Sequence, residues 1–285
     1  MTTMAIDKVG SARRQRKPAL AYTLPALGLI LVFFVIPVFA LLLRSVLEPQ
    51  PGLQNYQELL GSTTYVRIFA NTFMVAGVVT LISVLIGFPV AWTLSIMPEG
   101  WSRLFFAIII LSMWTNLLAR TYAWMVLLQR TGVINKTLMG LGLISQPLPL
   151  INNLAGVTIG MTYIMLPFII LPLTGVLRAI DPAILRAAAL CGANSWQCLT
   201  RVLLPLSLSG IMSGGLMIFV MSLGYFVTPA LLGGTANMML AELIAQFVQS
   251  LVNWGMGGAA AFVLLVVTLS LYGLQLRLFG AKQSV

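Results

Sequence analysis

Long apolar runs, each separated from the next by a short polar stretch, make up nearly the whole chain. A helix that crosses a hydrocarbon core needs about 20 apolar residues at about 1.5 Å of rise each. Runs of that length fall at 21–43, 69–96, 104–128, 154–177, 206–232 and 255–276. The pattern predicts an all-α integral membrane protein with six transmembrane helices. Gly and Pro recur inside the runs, at Pro37, Gly87, Pro89, Pro167, Pro172, Gly214, Gly215 and Pro229. They break soluble helices, but membrane helices tolerate them where neighbours satisfy the freed backbone groups. Small residues also let helices approach closely. GAAAF in the last run and SGGLM in the fifth read as such packing faces.

Composition agrees. Hydrophobic residues make up 59% of the 285 and charged residues only 8%, against about 25% charged in a soluble domain. The formal charge of +10 comes from 16 Lys+Arg against 6 Asp+Glu. The bases sort by position, so they read as cytoplasmic loop charge and not as a nucleic-acid surface. With a cytoplasmic N-terminus, the inner segments hold Lys8, Arg13, Arg14, Arg16, Lys17, Arg103, Arg178, Arg186, Arg201, Arg277 and Lys282. The outer ones hold Arg44, Arg67, Arg120, Arg130 and Lys136. Six spans put both termini in the cytoplasm. The organisation expected is a basic arm (1–19), a first helix (20–46), a transmembrane domain (65–277) and a cytoplasmic tail (278–285). The first helix runs uncharged from Pro18 to Leu43 with no small-residue cleavage site, which favours a retained helix over a signal peptide. There is no histidine, and Cys191 and Cys198 lie seven apart with no metal-site spacing. Neither a metal centre nor a cytoplasmic disulfide is expected.

The polar segments differ in character. Residues 47–66 and 129–153 carry Pro, Gly and Asn turn signals. Residues 233–253 start with Gly-Gly and continue into MLAELIAQFVQ, a helix too short and polar to span. Residues 179–205 are the distinctive ones, with RAAALCGANSWQCLTRVLLP at 186–205. Asp181 followed by Pro182 is a helix start, and Gly192 a C-terminal cap. That predicts a short helix over 182–191. Asn194 or Ser195 can cap a second one, carrying Trp196, Leu199 and Leu203 at i, i+3, i+7, with Pro205 at the start of the fifth span. Ala183, Ala187 and Ala188 form a small-residue side that another surface can approach. These features fit either a loop lying on the membrane, anchored by Trp196, or a docking surface.

The stretch resembles the cytoplasmic signature of ABC importer permeases: Glu-Ala-Ala, three residues, Gly-Ala, then an apolar run ending in Leu-Pro. Ala187, Ala188, Gly192, Ala193, Leu204 and Pro205 fall on it at matching spacing. LARTYAWMVLLQRTGVIN (118–135), LGYFVTPALLGG (223–234) and NWGMGGAAAFVLL (253–265) resemble permeases of the spermidine/putrescine class, the RTYAW run favouring the first of the two related subunits. The resemblance implies a type I importer permease with the MetI-like fold in a bacterial inner membrane. It implies a coupling segment over 179–205, where Arg186, Ala187, Ala188, Gly192, Ala193 and Pro205 meet the ATPase and Asp181 and Pro182 cap the coupling helix. The implied partners are an ABC ATPase dimer, a second permease subunit and a periplasmic binding protein. ATP and Mg belong to the ATPase, and no cofactor is expected in this chain. Arg186 departs from the pattern, since Glu usually opens the signature, and Leu190 stands where an Asp is often found.

The passage itself is less legible. Arg120 lies about 24 Å from Leu104 along a helix, near the outer edge of the core. It reads as a snorkelling or interhelix group, or as part of a passage. Glu242, the one acid after Asp181, reads as an acidic group at the mouth or as a contact for the binding protein. Tyr225, Phe226 and Thr228, before Pro229, either line a cavity at a helix break or pack. Few acids occur in the spans, so an opine, an aminophosphonate or a metal chelate competes with a polyamine as substrate. No Gly-rich phosphate loop is present, and neither ion-coupling carboxylates nor a catalytic set stands out. A secondary transporter and an intramembrane enzyme are therefore the weaker readings.

Overall fold

The computed structural model describes residues 16–279, and within them the regular structure is helical. Most of the basic arm and the tail, with Lys8, Arg13, Arg14 and Lys282, lie outside the described residues. The helices in order are α1 (Arg16–Ile30), α2 (Ile36–Leu47), α3 (Gln54–Gly61), α4 (Thr63–Ile96), α5 (Glu99–Trp114), α6 (Leu117–Leu128) and α7 (Val133–Gly140). They continue as α8 (Leu154–Ala179), α9 (Pro182–Leu190), α10 (Ser195–Gln197), α11 (Leu204–Leu223), α12 (Val227–Leu232), α13 (Leu240–Gln249) and α14 (Trp254–Phe279). A π-helical turn, Leu31–Val35, joins α1 to α2. Five helical stretches of the described residues are long and apolar enough to cross a membrane, and six if α5 and the bent segment after it count as one.

Helix α8 is the axis of the bundle. In its most apolar window 61% of residues are buried, against 0% for the first helix. Met161, Met165, Ile169 and Leu173 of α8 pack with Val75, Val79 and Ala91 of α4 and Ile218 of α11. Glycine makes these contacts close. A Cβ on Gly87 would stand 2.6 Å from Ile169 Cγ2, and one on Gly210 2.9 Å from Val176 Cγ2. Gly214 of SGGLM meets Ile169 and Gly215 faces Val84 and Thr80, so that run is a packing face.

The first and last helices pair backbone to backbone. A Cβ on Gly258 would lie 2.5 Å from Leu41 O, and one on Gly255 2.7 Å from Glu48 O. Asn55 Nδ2 closes the corner by donating to Ser45 O (2.8 Å) and Glu48 O (2.6 Å). Arg44 stacks over the Trp254 ring at 5.2 Å. Much of the rest of the first helix is bare, with Phe33 76% exposed. A bare apolar helix suits lipid or a second subunit, not water.

Three sequence expectations need correction. The third span is broken: α5 ends at Trp114, and the chain turns 96° into the segment Leu117–Gly140. Asn116 causes the new start, its side chain accepting from Leu118 N (2.8 Å) and Ala119 N (3.3 Å) as an N-cap. The fifth span begins earlier and ends earlier than 206–232. It runs unbroken over Ser195–Leu223, through a π-helical stretch, Cys198–Leu203, whose wider ladder accommodates the missing N–H of Pro205. Pro205 therefore marks no boundary, and Gly224 ends the helix ahead of α12. The π-helical stretch also disperses the face expected of Trp196, Leu199 and Leu203. Leu203 is buried, Leu199 packs at the core edge, and Trp196 is 69% exposed.

Candidate coupling surface and translocation site

Residues 181–197 fold as the sequence suggests, and the capping is complete. Asp181 Oδ1 accepts from Ala183 N at 2.8 Å, with Pro182 in the first turn of α9. At the other end Gly192 adopts φ +86°. Its N–H donates to Ala189 O (3.0 Å) while Ala193 N–H donates to Ala188 O (3.1 Å). This pair is a Schellman cap, which needs a left-handed residue at its turn. Asn194 and Gln197 then form a reciprocal capping box, each side chain bonding the other's backbone N–H. So Asn194, not Ser195, starts the second helix.

The segment protrudes from the core. Arg186, Ala187 and Gly192 are exposed, Ala188 and Ala193 are half-buried, and no residue of α9 is buried. Leu190 is 89% exposed. Leu185 instead turns inward, packing against the main core. Pro205, also exposed, sits about 16 Å along the helix that starts at Asn194. It belongs to the span and not to the protruding tip. Cys191 and Cys198 are free thiols.

Toward the opposite end of α8, three of the five passage candidates meet. α12 docks on α8 because Gly160 leaves room: a Cβ there would stand 2.7 Å from Leu232 Cδ1 and 2.9 Å from Thr228 Cγ2. Thr228, fully buried, faces Thr121 of α6 with 3.3 Å between hydroxyl oxygens. Tyr225 stands three residues before Thr228 at the break between α11 and α12, and Arg120 directly precedes Thr121 in α6. Arg120 Nε is buried with no hydrogen-bond partner. The cluster thus joins a cation, a phenol and two hydroxyls at the α6–α12 contact, where two helix breaks come together. Thr121 was not foreseen. Its neighbour Arg120 drew attention by charge, whereas a lone Thr in an apolar helix carries no such signal. Phe226, 40% exposed, stands apart from the buried pair.

Glu242 belongs elsewhere. α13 is pinned to α4 by Leu240 N donating to Thr72 Oγ (2.8 Å) and Asn71 Nδ2 donating to Met238 O (3.0 Å). Its apolar side, Leu240, Leu243 and Phe247, is buried against α14 and α3. Glu242 Oε2 is buried without a partner. Burial pushes the carboxyl up from the ordinary range, and a hydrogen bond with the Met239 backbone only partly offsets it.

One further cluster escaped the sequence reading, which counted Arg178 only as inner-segment charge. Arg178, in the last turn of α8, donates through Nη2 to Leu94 O (3.3 Å) at the end of α4 and to Ser102 Oγ in α5. Ser102, fully buried, also donates to Leu94 O at 2.9 Å. The Arg178 guanidinium lies over the Phe106 ring at 5.2 Å.

Among the described residues no group of His, Cys, Asp and Glu could hold a metal. No family model matches the chain. Solved structures share its fold. A chain of a bacterial alginate ABC transporter, in complex with an alginate-bound periplasmic protein, superposes with TM-score 0.76 at 18% identity, covering 94% of this chain and 95% of that one. A chain of the MetNI methionine ABC transporter, in inward-facing conformations, gives 0.57 at 19% identity over 76% and 94%. Curated relatives are nearer in sequence. The spermidine/putrescine transport system permease protein PotB of Haemophilus influenzae is 34% identical over 75% of this chain and 75% of its own. The inner membrane ABC transporter permease protein YdcU of Escherichia coli is 32% identical over 82% of this chain and 77% of its own. The overall fold is thus shared with chains of ABC transporters and the sequence with permeases, and the chain belongs to the PotB-type family of ABC transporter permease proteins.

Proposed function

We propose that this ABC importer permease forms half of a pathway for a polyamine or related amine. A periplasmic binding protein delivers the solute, and an ATPase dimer acting on α9 drives transport. A second permease subunit completes the pathway, and access alternates between the two sides. ATP and Mg bind the ATPase, so this chain supplies no catalytic residue. The observation that carries the reading is the shape of residues 181–197. A doubly capped helix and bend, with Leu190 89% exposed, stands clear of the bundle. Rigid caps suit a lever, and bare Leu190 and Ala187 suit burial under a partner. Arg186, in place of an acid, calls for an acidic or hydrogen-bond-accepting group on the ATPase facing it.

The amine substrate follows the PotB relatives, whose name gives spermidine and putrescine. A second reading, an amino compound that also bears an anionic group, rests on the cluster at α6 and α12. Its charged member is the cation Arg120, whose Nε lacks a partner. A more distant relative, 23% identical, is a putative 2-aminoethylphosphonate permease of Salmonella typhimurium.

Co-purification with the products of neighbouring genes tests the assembly: an ATPase and a second permease should elute with the chain. Competition then separates the substrates. In proteoliposomes holding the full complex and its binding protein, spermidine should be taken up, and excess putrescine should compete with it. Uptake of 2-aminoethylphosphonate without spermidine uptake would replace the first substrate reading by the second.

A further inference from the structure

The chain leaves α8 at Ala179 and enters α9 at Pro182, so a push on α9 reaches the end of α8 through two intervening residues, besides the π-helical stretch on which α9 packs. Apart from Leu185, which reaches the core, little side-chain matter lies between α9 and the ends of α4 and α8. A cavity of about 410 Å³ lies beneath it, walled by Trp92 of α4, Leu177 and Arg178 of α8, and Leu185 of α9. No side chain from α4 fills this cleft to bear on α9. Beside the buried core residues Leu94 and Leu177, the polar connection at this level is Arg178. Its guanidinium reaches past the cavity to the Leu94 carbonyl that ends α4 and to Ser102 near the start of α5, and stacks on Phe106 one turn further on. Three helix ends are tied by one side chain, four residues before the coupling helix begins.

We infer that Arg178 is a positioning residue for coupling: it locks the α8 end to the α4–α5 corner, so that movement of α9 drives the α4–α5 pair and not α8 alone. This rests on α9 being the ATPase contact. The geometry suits the task. A planar guanidinium can stack on an aromatic face while its N–H groups donate in its own plane, an arrangement an ammonium does not reproduce. Charge-assisted bonds are also about twice as strong as neutral ones. The consequence runs toward α6. Helix α5 leads directly into the break at Thr115–Asn116 and so to Arg120 and Thr121, giving a covalent route from the clamp to the cluster at the opposite end.

The test uses the whole transporter, this chain with its ATPase, second permease and binding protein in proteoliposomes, and reads ATP hydrolysed per solute taken up. Arg178→Met should raise that ratio about tenfold, the factor carried by a hydrogen bond to a charged group. Ser102→Ala should raise it less, and Arg178→Lys should restore part of the coupling. Gly192→Asp serves as the reference uncoupled variant. An unchanged ratio in Arg178→Met, with Gly192→Asp uncoupled, overturns the inference and leaves the coupling segment standing. Reduced complex in the membrane with an unchanged ratio also overturns it, since Arg178 would then only hold the fold. Should Arg178→Met not assemble, unchanged ratios in both Arg178→Lys and Ser102→Ala overturn it. If Gly192→Asp stays coupled, the reading of α9 itself fails, and this inference with it.

Discussion

Two residues show how local chemistry sets behaviour here. Glu242 is held with one carboxylate oxygen buried and unpartnered, and burial raises its pKa. The folded state therefore holds its proton to higher pH than the unfolded chain does. Between the two pKa values the native state binds more protons, so stability falls as pH rises through that window. Glu242→Gln should remove this loss: the variant should melt higher than the parent at neutral pH, with the gap closing as pH drops below the ordinary carboxylate range. Melting curves at several pH values check it, and a gap that persists in acid would contradict it. Gly160 is the second case. Its missing side chain admits Leu232 and Thr228, so Gly160→Val should cost about 1–3 kcal/mol by overpacking. It should also slow uptake, by pushing α12 off α8 and parting Thr228 from Thr121. Thermal stability and uptake rate, measured together, should both fall.

At the scale of elements, α9 owes its definition to its ends. Asp181→Ala should weaken the helix by about 1 kcal/mol, which opens it roughly fivefold more often. Amide hydrogen exchange in α9 should speed up accordingly, while Asp181→Asn, which keeps the cap, should leave it nearly unchanged. This element was legible because its signals are local: Asp-Pro, Gly-Ala and the Asn194–Gln197 pair act within a few residues. The apolar runs announced spans for the same reason. The break at Thr115–Asn116 was not legible, because apolar residues flank it on both sides. A single capping Asn, at 116, decides the turn, and hydropathy does not register it. Pro205 misled in the opposite sense. A π-helical turn absorbs it, and the helix runs through. The clamp at Arg178 joins residues 84 and 76 positions apart in the chain, at Leu94 and Ser102, and no local pattern points to such a pairing.

The bundle is built around α8, with a protruding capped helix at one end and a polar cluster toward the other. Along α8, Gly160 and Ala179 are 19 residues apart, about 28 Å of helix. On the proposed coupling, work done at α9 must therefore cross most of a membrane thickness to reach Arg120, Thr121 and Thr228. The bare first helix and exposed faces of α4 and α5 leave wide apolar surface for lipid and a second subunit, in keeping with a chain that forms only half of a pathway. On the proposed function, an ATPase acts on this chain through residues 181–197. Uptake and ATP hydrolysis by the reconstituted transporter, compared between the parent and Gly192→Asp, test it most directly. Gly192 has a left-handed backbone and an open, exposed position, so an Asp there disturbs the cap and the docking face without filling the core. The predicted result is ATP-dependent uptake in the parent, and in the variant loss of uptake with hydrolysis no longer responding to solute. Uptake by this chain alone, without ATP or an ATPase, or full coupling in the variant, would contradict the account.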